Sequence, residues 1–112
     1  AAVVIMAMVC FAFSAGALDA TGQCGDNAYY SLNTETGALT ISGEGDMYGY
    51  YDSFSPFKYS DIKTVVIEDG VTQIEENAFK GCVMLSKVTI PDSVKYIDPT
   101  AFDKCVMLKK KL

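Results

Sequence analysis

The side chains in this sequence whose types and spacing could do chemistry are a few carboxylates, four cysteines and a run of tyrosines. Glu75 and Glu76, with Asp98 further along, could serve acid-base work or hold calcium. They fall between Ile74 and Ala78, and between Ile97 and Ala101, in stretches that read as solvated turns. Nothing apolar is expected around them to raise a carboxyl pKa, so a solvated face is the reading adopted. Gly43-Glu44-Gly45-Asp46 has the look of a calcium loop but lacks the repeated ligand spacing of an EF-hand. No metal and no cofactor are expected. Histidine is absent and all nine basic residues are Lys, which excludes a Ser-His-Asp triad, a Cys-His pair and a His-ligated zinc or haem site. With a net charge of -5 and no Arg forks, phosphate-backbone binding is disfavoured, and nucleic acid is not expected as a partner. No catalytic residues are assigned, and the chain is read as non-enzymatic.

The cysteines need a compartment before they can be interpreted. Sixteen of the first 18 residues are apolar, Ser14 and Gly16 being the exceptions, and the run ends in Ala15-Gly16-Ala17. That is an apolar signal-peptide region followed by an A-x-A cleavage site, so residues 1–17 are expected to be removed on export. Cleavage after Ala20 would put bulky Leu18 where a small side chain is wanted. A membrane anchor needs about 20 apolar residues, and the run stops before Asp19; a buried core helix is the other reading set aside. The missing basic leader and starting Met read as clipping at the N-terminus. Membrane contact is thus expected only through the signal peptide, and the localisation is secreted or cell surface. In that oxidising compartment Cys10 leaves with the leader and Cys24, Cys82 and Cys105 remain. They make no C-x-x-C spacing, so neither a redox motif nor a zinc knuckle is supported.

The elements that position these residues follow from one offset. Aligning residues 65–87 with 88–110 gives identities at Val65/Val88, Ile67/Ile90, Asp69/Asp92, Val71/Val94, Ile74/Ile97, Ala78/Ala101, Phe79/Phe102, Cys82/Cys105, Val83/Val106, Met84/Met107, Leu85/Leu108 and Lys87/Lys110. This is a tandem repeat. Ile62-Lys63-Thr64-Val65-Val66-Ile67 and Leu85-Ser86-Lys87-Val88-Thr89-Ile90 read as short strands of a stacked parallel sheet, with Val65, Ile67, Val88 and Ile90 pointing inward. Glu68-Asp69-Gly70 and Pro91-Asp92-Ser93 supply turns. Val71 with Ile74, and Val94 with Ile97, return the chain to the core. Ala78 to Leu85 and Ala101 to Leu108 then pack the outer side as a short helix or irregular turn. Stacking puts Cys82 and Cys105 about one strand spacing, ~5 Å, apart. A ladder of buried thiols is expected there, with a disulfide as the alternative; Cys24 is read as a packed or unpaired residue of the segment before the repeats.

Upstream, residues 28–43 read as a hairpin, Tyr30 and Leu32 alternating with polar positions as do Leu39 and Ile41, around a loop at Asn33-Thr34-Glu35-Thr36-Gly37. The hairpin would cover the open apolar end of the first repeat. Between Met47 and Tyr59 lie Tyr48, Tyr50, Tyr51, Phe54, Phe57 and Tyr59, interleaved with Gly, Ser, Asp and Pro. Phe54, Phe57 and Tyr59 are expected to cover the first coil's edge. Tyr48, Tyr50 and Tyr51 are the expected exposed set, able to stack on sugars or anchor a partner.

The pattern V-x-I-x-D-x-V-x-x-I-x-x-x-A-F-x-x-C-x-x-L over residues 62–112 resembles the BspA-like leucine-rich repeat family of secreted and cell-surface proteins. The stretch from Cys24 to Met47 is similar to the segment that often precedes such repeats, with Tyr30 where Trp is expected. The resemblance implies a mainly β leucine-rich repeat solenoid of parallel stacked strands, with short helical or irregular turns, and adhesion through protein binding. The expected organisation is residues 1–17 as signal peptide, 18–61 as β-hairpin cap and aromatic loop, and 62–112 as about two 23-residue repeats that continue beyond Leu112. The expected partner-binding residues are Lys63, Thr64 and Val66 aligned with Ser86, Lys87 and Thr89 on the exposed sheet face, with Tyr48, Tyr50 and Tyr51 at its rim. The expected partner is a host-matrix or cell-surface protein. A targeting or glycan-binding module of a larger secreted hydrolase is the alternative.

Overall fold

The computed structural model describes residues 20–50, 55–57 and 61–108. The signal-peptide segment 1–17, Tyr51, Phe54, Tyr59 and residues 109–112 lie outside the described residues. The described chain is mainly β, with no helix. Its elements are β1 (Thr21–Gln23), β2 (Ala28–Asn33), β3 (Ala38–Gly43), β4 (Gly45–Asp46), β5 (Thr64–Ile67), β6 (Val71–Ile74), β7 (Lys87–Thr89) and β8 (Tyr96–Ile97). They form a five-stranded mixed sheet in the order β1-β2-β3-β5-β7 and a three-stranded parallel sheet in the order β4-β6-β8.

The hairpin forms where alternation places it: β2 reads buried-exposed three times over. The Asn33 side-chain oxygen accepts from the Glu35 and Thr36 amides at 2.9 and 3.1 Å, and Gly37 takes φ 76°, which a side chain would resist. Strand β3 then does more than close the hairpin. It pairs in parallel with β5, Leu39 opposite Val65 and Ile41 opposite Ile67, and β5 pairs in parallel with β7, Val65 opposite Val88. The second sheet repeats the arrangement, with Gly45 beside Val71 and Ile74 beside Ile97. Each pass of the chain, β3–β4, β5–β6 and β7–β8, thus gives one strand to each sheet.

The return from the second sheet to the first is a series of tight turns where the sequence admitted a short helix. Ala78, Cys82 and Leu85 amides donate to the carbonyls of Glu75, Phe79 and Cys82, and Ala101, Cys105 and Leu108 repeat this to Asp98, Phe102 and Cys105. All six are bonds between residues three apart, so the chain keeps breaking direction instead of propagating a helix. Between the sheets runs one continuous core. Its spine is aromatic: Tyr30 meets Phe57 edge-on at 5.1 Å, Phe57 stacks on Phe79 at 5.2 Å, and Phe79 on Phe102 at 5.4 Å. The three described cysteines are buried thiols. Cys82 donates to the Phe57 carbonyl at 3.6 Å and Cys105 to that of Phe79 at 3.1 Å, each thiol reaching the preceding pass.

Candidate protein-binding face

In β5 and β7 the alternation that buries Val65 and Ile67 turns Thr64, Val66, Lys87 and Thr89 to solvent. The register sets Thr64 beside Lys87 and Val66 beside Thr89. Just before the strands, the Ser86 amide donates to the Lys63 carbonyl at 3.0 Å, bringing the third pair together. Thr64, Val66, Lys87 and Thr89 therefore share one face, and Lys63 and Ser86 are exposed just before its two strands.

That surface is wider than the repeats alone suggest. Thr40 lies beside Val66 across the parallel β3–β5 pair, Ser31 beside Thr40, and Thr21 beside Ser31. The row Thr21–Ser31–Thr40–Val66–Thr89 crosses all five strands. A second row runs from Asn33 through Ala38 and Thr64 to Lys87, and Gln23, Tyr29 and Ser42 begin a third. The side chains of the five-strand row are hydroxylated or β-branched, with Val66 at 43% exposure the apolar member of the row. Sequence reasoning missed Thr21, Ser31, Thr40, Tyr29 and Ser42. The available signal was the match of Leu39-Thr40-Ile41 to Val65-Val66-Ile67, which marks β3 as another strand of the same stack.

The tyrosines divide. Tyr48 is exposed, its amide donating to the Cys24 carbonyl at 2.7 Å. Loss of solvent contact, and then the charge and hydrogen bond of Asp26, raise its phenol pKa. It stands by the β1–β2 turn, at the Gln23–Tyr29 end of the face. Tyr50, expected to be exposed, is half-buried: its amide donates to Glu76 at 2.9 Å, its carbonyl accepts from Asn77 Nδ2 at 2.8 Å, and burial pushes its phenol up to about 12. The backbone hydrogen bonds draw Tyr50 onto the turn after β6, away from the strand rows. Tyr51 lies outside the described residues.

The carboxylates are less uniformly solvated than expected. Glu75 is half-buried, and burial first, then Asp46 and Asp98, raise its pKa. Asp98 is lowered, chiefly by the Thr100 backbone amide and then its hydroxyl, which reach Oδ1 at 2.9 and 2.7 Å. Those bonds hold the turn that starts the return to the first sheet. Among the described residues no group of three or more Asp, Glu or Cys could hold a metal ion.

A family model described as BspA type leucine rich repeat region (6 copies) matches residues 53–111. A crystal structure of a leucine-rich repeat protein from Eubacterium ventriosum ATCC 27560 is similar with a TM-score of 0.62 and 33% identity, over 69% of this chain and 21% of that one. The chain thus spans about a fifth of that protein's length. No curated protein matches it.

Proposed function

The chain belongs to the BspA-type leucine-rich repeat family, and from that membership we propose that it is a non-enzymatic, secreted or cell-surface repeat fragment that binds protein through the solvent face of its five-stranded sheet. In this reading β3–β4, β5–β6 and β7–β8 are rungs of a solenoid, and β1 with β2 cap the first rung. Solenoid proteins use such extended faces for recognition. The carrying observation is the five-strand row from Thr21 to Thr89, with exposed Val66 at its centre. Small side chains let a partner approach the backbone along the row, while Lys63 and Lys87 add charge at one end. Tyr48 borders the other.

The test pairs Val66→Glu with Thr89→Glu. Adhesion to host-matrix proteins or partner cells should fall at least tenfold, a loss of about 1.4 kcal/mol or more, while the circular dichroism spectrum stays unchanged. Undiminished adhesion by the folded double variant would move the site elsewhere. Export should leave Leu18 as the first residue, and intact-mass measurement of the exported protein checks this. A second reading, a glycan-binding module of a larger secreted hydrolase, draws on exposed Tyr29 and Tyr48 near Asp26. Loss of polysaccharide binding in Tyr48→Ala would favour it.

A further inference from the structure

Val83, Met84, Val106 and Met107 face solvent on the turns that return the chain to the five-stranded sheet, at 50, 41, 76 and 48% exposure. Each Val-Met pair is bracketed by buried residues, Cys82 with Leu85 and Cys105 with Leu108, so the flanks are fixed in the core and the middle is pushed out. Successive passes are tied here by bonds from the Phe79 amide to Ala101 and the Gly81 amide to Asp103, at 2.8 and 3.0 Å. The two pairs therefore form an apolar ladder.

Core packing does not account for it. Several other solvent-facing positions differ between the two repeats, Val66 against Thr89, Gln73 against Tyr96, Lys80 against Asp103 and Lys63 against Ser86, while Asp69/Asp92 is kept. Val83/Val106 and Met84/Met107 are identical. A flexible thioether beside a branched aliphatic group is a surface that adapts to a partner.

Charge indicates which partner. Lys80 and Lys104 lie in the segments flanking the ladder, with Asp103 the one carboxylate beside them. On the three-stranded sheet and the turns after it, the chain carries the carboxylates Asp46, Glu75, Glu76 and Asp98 against the single cation Lys95, and the exposed ring of Tyr96. Both features repeat along the same stacking direction at the spacing of neighbouring strands, about 4.8 Å. Two copies lying side by side with parallel stacks would keep apolar ladder and carboxylate ladder in register.

We propose that the Val83–Met84 and Val106–Met107 ladder docks a second copy of this chain, which presents its Glu75, Asp98 and Tyr96 side to Lys80, Lys104 and the exposed valines and methionines. The contact joins two different surfaces, so a pair of copies leaves one of each surface unused and further copies can add. It is separate from the strand face proposed for partner binding.

Sedimentation velocity of the full chain over a concentration series tests this. The sedimenting mass should grow with concentration. Met84→Ser with Met107→Ser should move the midpoint of association up by about tenfold or more, and so should Lys80→Glu with Lys104→Glu, or Glu75→Lys with Glu76→Lys. An equimolar mixture of the two charge-reversed variants should associate although neither does alone, because each keeps one parental surface and the two reversed surfaces are complementary to each other. Val66→Glu with Thr89→Glu should associate as the parent does, which separates this contact from the strand face. Circular dichroism verifies folding, and if a reversed variant unfolds, Lys80→Gln with Lys104→Gln serves in its place. A parent chain that stays monomeric, undiminished association in the Met84→Ser, Met107→Ser variant, or a mixture that fails to complex would each overturn the proposal.

Discussion

Phe79 shows how much one side chain carries. It is fully buried and stacked on both faces, by Phe57 at 5.2 Å and by Phe102 at 5.4 Å. Phe79→Ala should cost about 3–5 kcal/mol, read from urea unfolding. Phe102→Ala should cost less, because its described ring contact is on one side. Burial, and secondarily Cys105, push the Cys82 thiol from its ordinary 9.0 up to about 12. The folded state therefore favours the protonated thiol. Its contribution to stability is whole below about pH 9, and is lost as pH rises from there toward 12, where the unfolded thiol ionises first. Stability should fall through that window less in Cys82→Ala than in the parent, as read from urea unfolding at stepped pH. Iodoacetamide at pH 8 should label Cys82 slowly until denaturant is added.

At the scale of elements, the turns between the two sheets set the stack. Gly70 has φ 115°, and a Cβ there would lie 2.3 Å from the Gly43 carbonyl oxygen of the preceding pass. One repeat later the same position is Ser93, whose hydroxyl accepts from the Gly70 amide at 3.0 Å and donates to the Val71 carbonyl at 2.8 Å. Thr100 does the equivalent for the Asn77 amide, at 3.0 Å. Hydroxyls of one pass thus take up turn groups of the pass before. Ser93→Ala should cost about 1–3 kcal/mol for two bonds and speed hydrogen exchange at the Gly70 amide; unchanged exchange would remove the bridge from the account. The hairpin was legible because six-residue strands carry a period of two. Strands β4 and β8 have two residues each, too few to show any period, so the second sheet was not legible. The place of β3 in the parallel stack was hidden by spacing, since Leu39 precedes Val65 by 26 residues and not by the repeat length of 23. The exposure of Val83 and Met84 was not legible either, because an identical apolar pair beside a Cys carries no mark that it faces water.

Across the whole molecule, burial falls off along the stack. Val65, Ile67, Val71 and Ile74 are buried, whereas their counterparts Val88, Ile90, Val94 and Ile97, identical in type, are only partly buried. The chemistry of the positions is the same, so the difference comes from neighbours. Strands β5 and β6 have a strand on both sides, while β7 and β8 have none on their outer edges among the described residues. A stack of this kind draws its stability from contacts between adjacent units. Appending one 23-residue repeat after the last one should bury those four side chains, at about 1 kcal/mol for each half-exposed aliphatic group recovered. Each kcal/mol so gained raises the melting temperature by about 4–8 °C in a chain of this size, and the unfolding transition should sharpen. Ile97→Ser adds a control that does not depend on total stability. It should cost little in the present chain, where the side chain already meets water, and about 2 kcal/mol or more in the extended one, where the new strand would leave its hydroxyl buried. Equal costs in the two backgrounds would mean that the edge is already closed, and that the stack does not grow by adding rungs to β7 and β8.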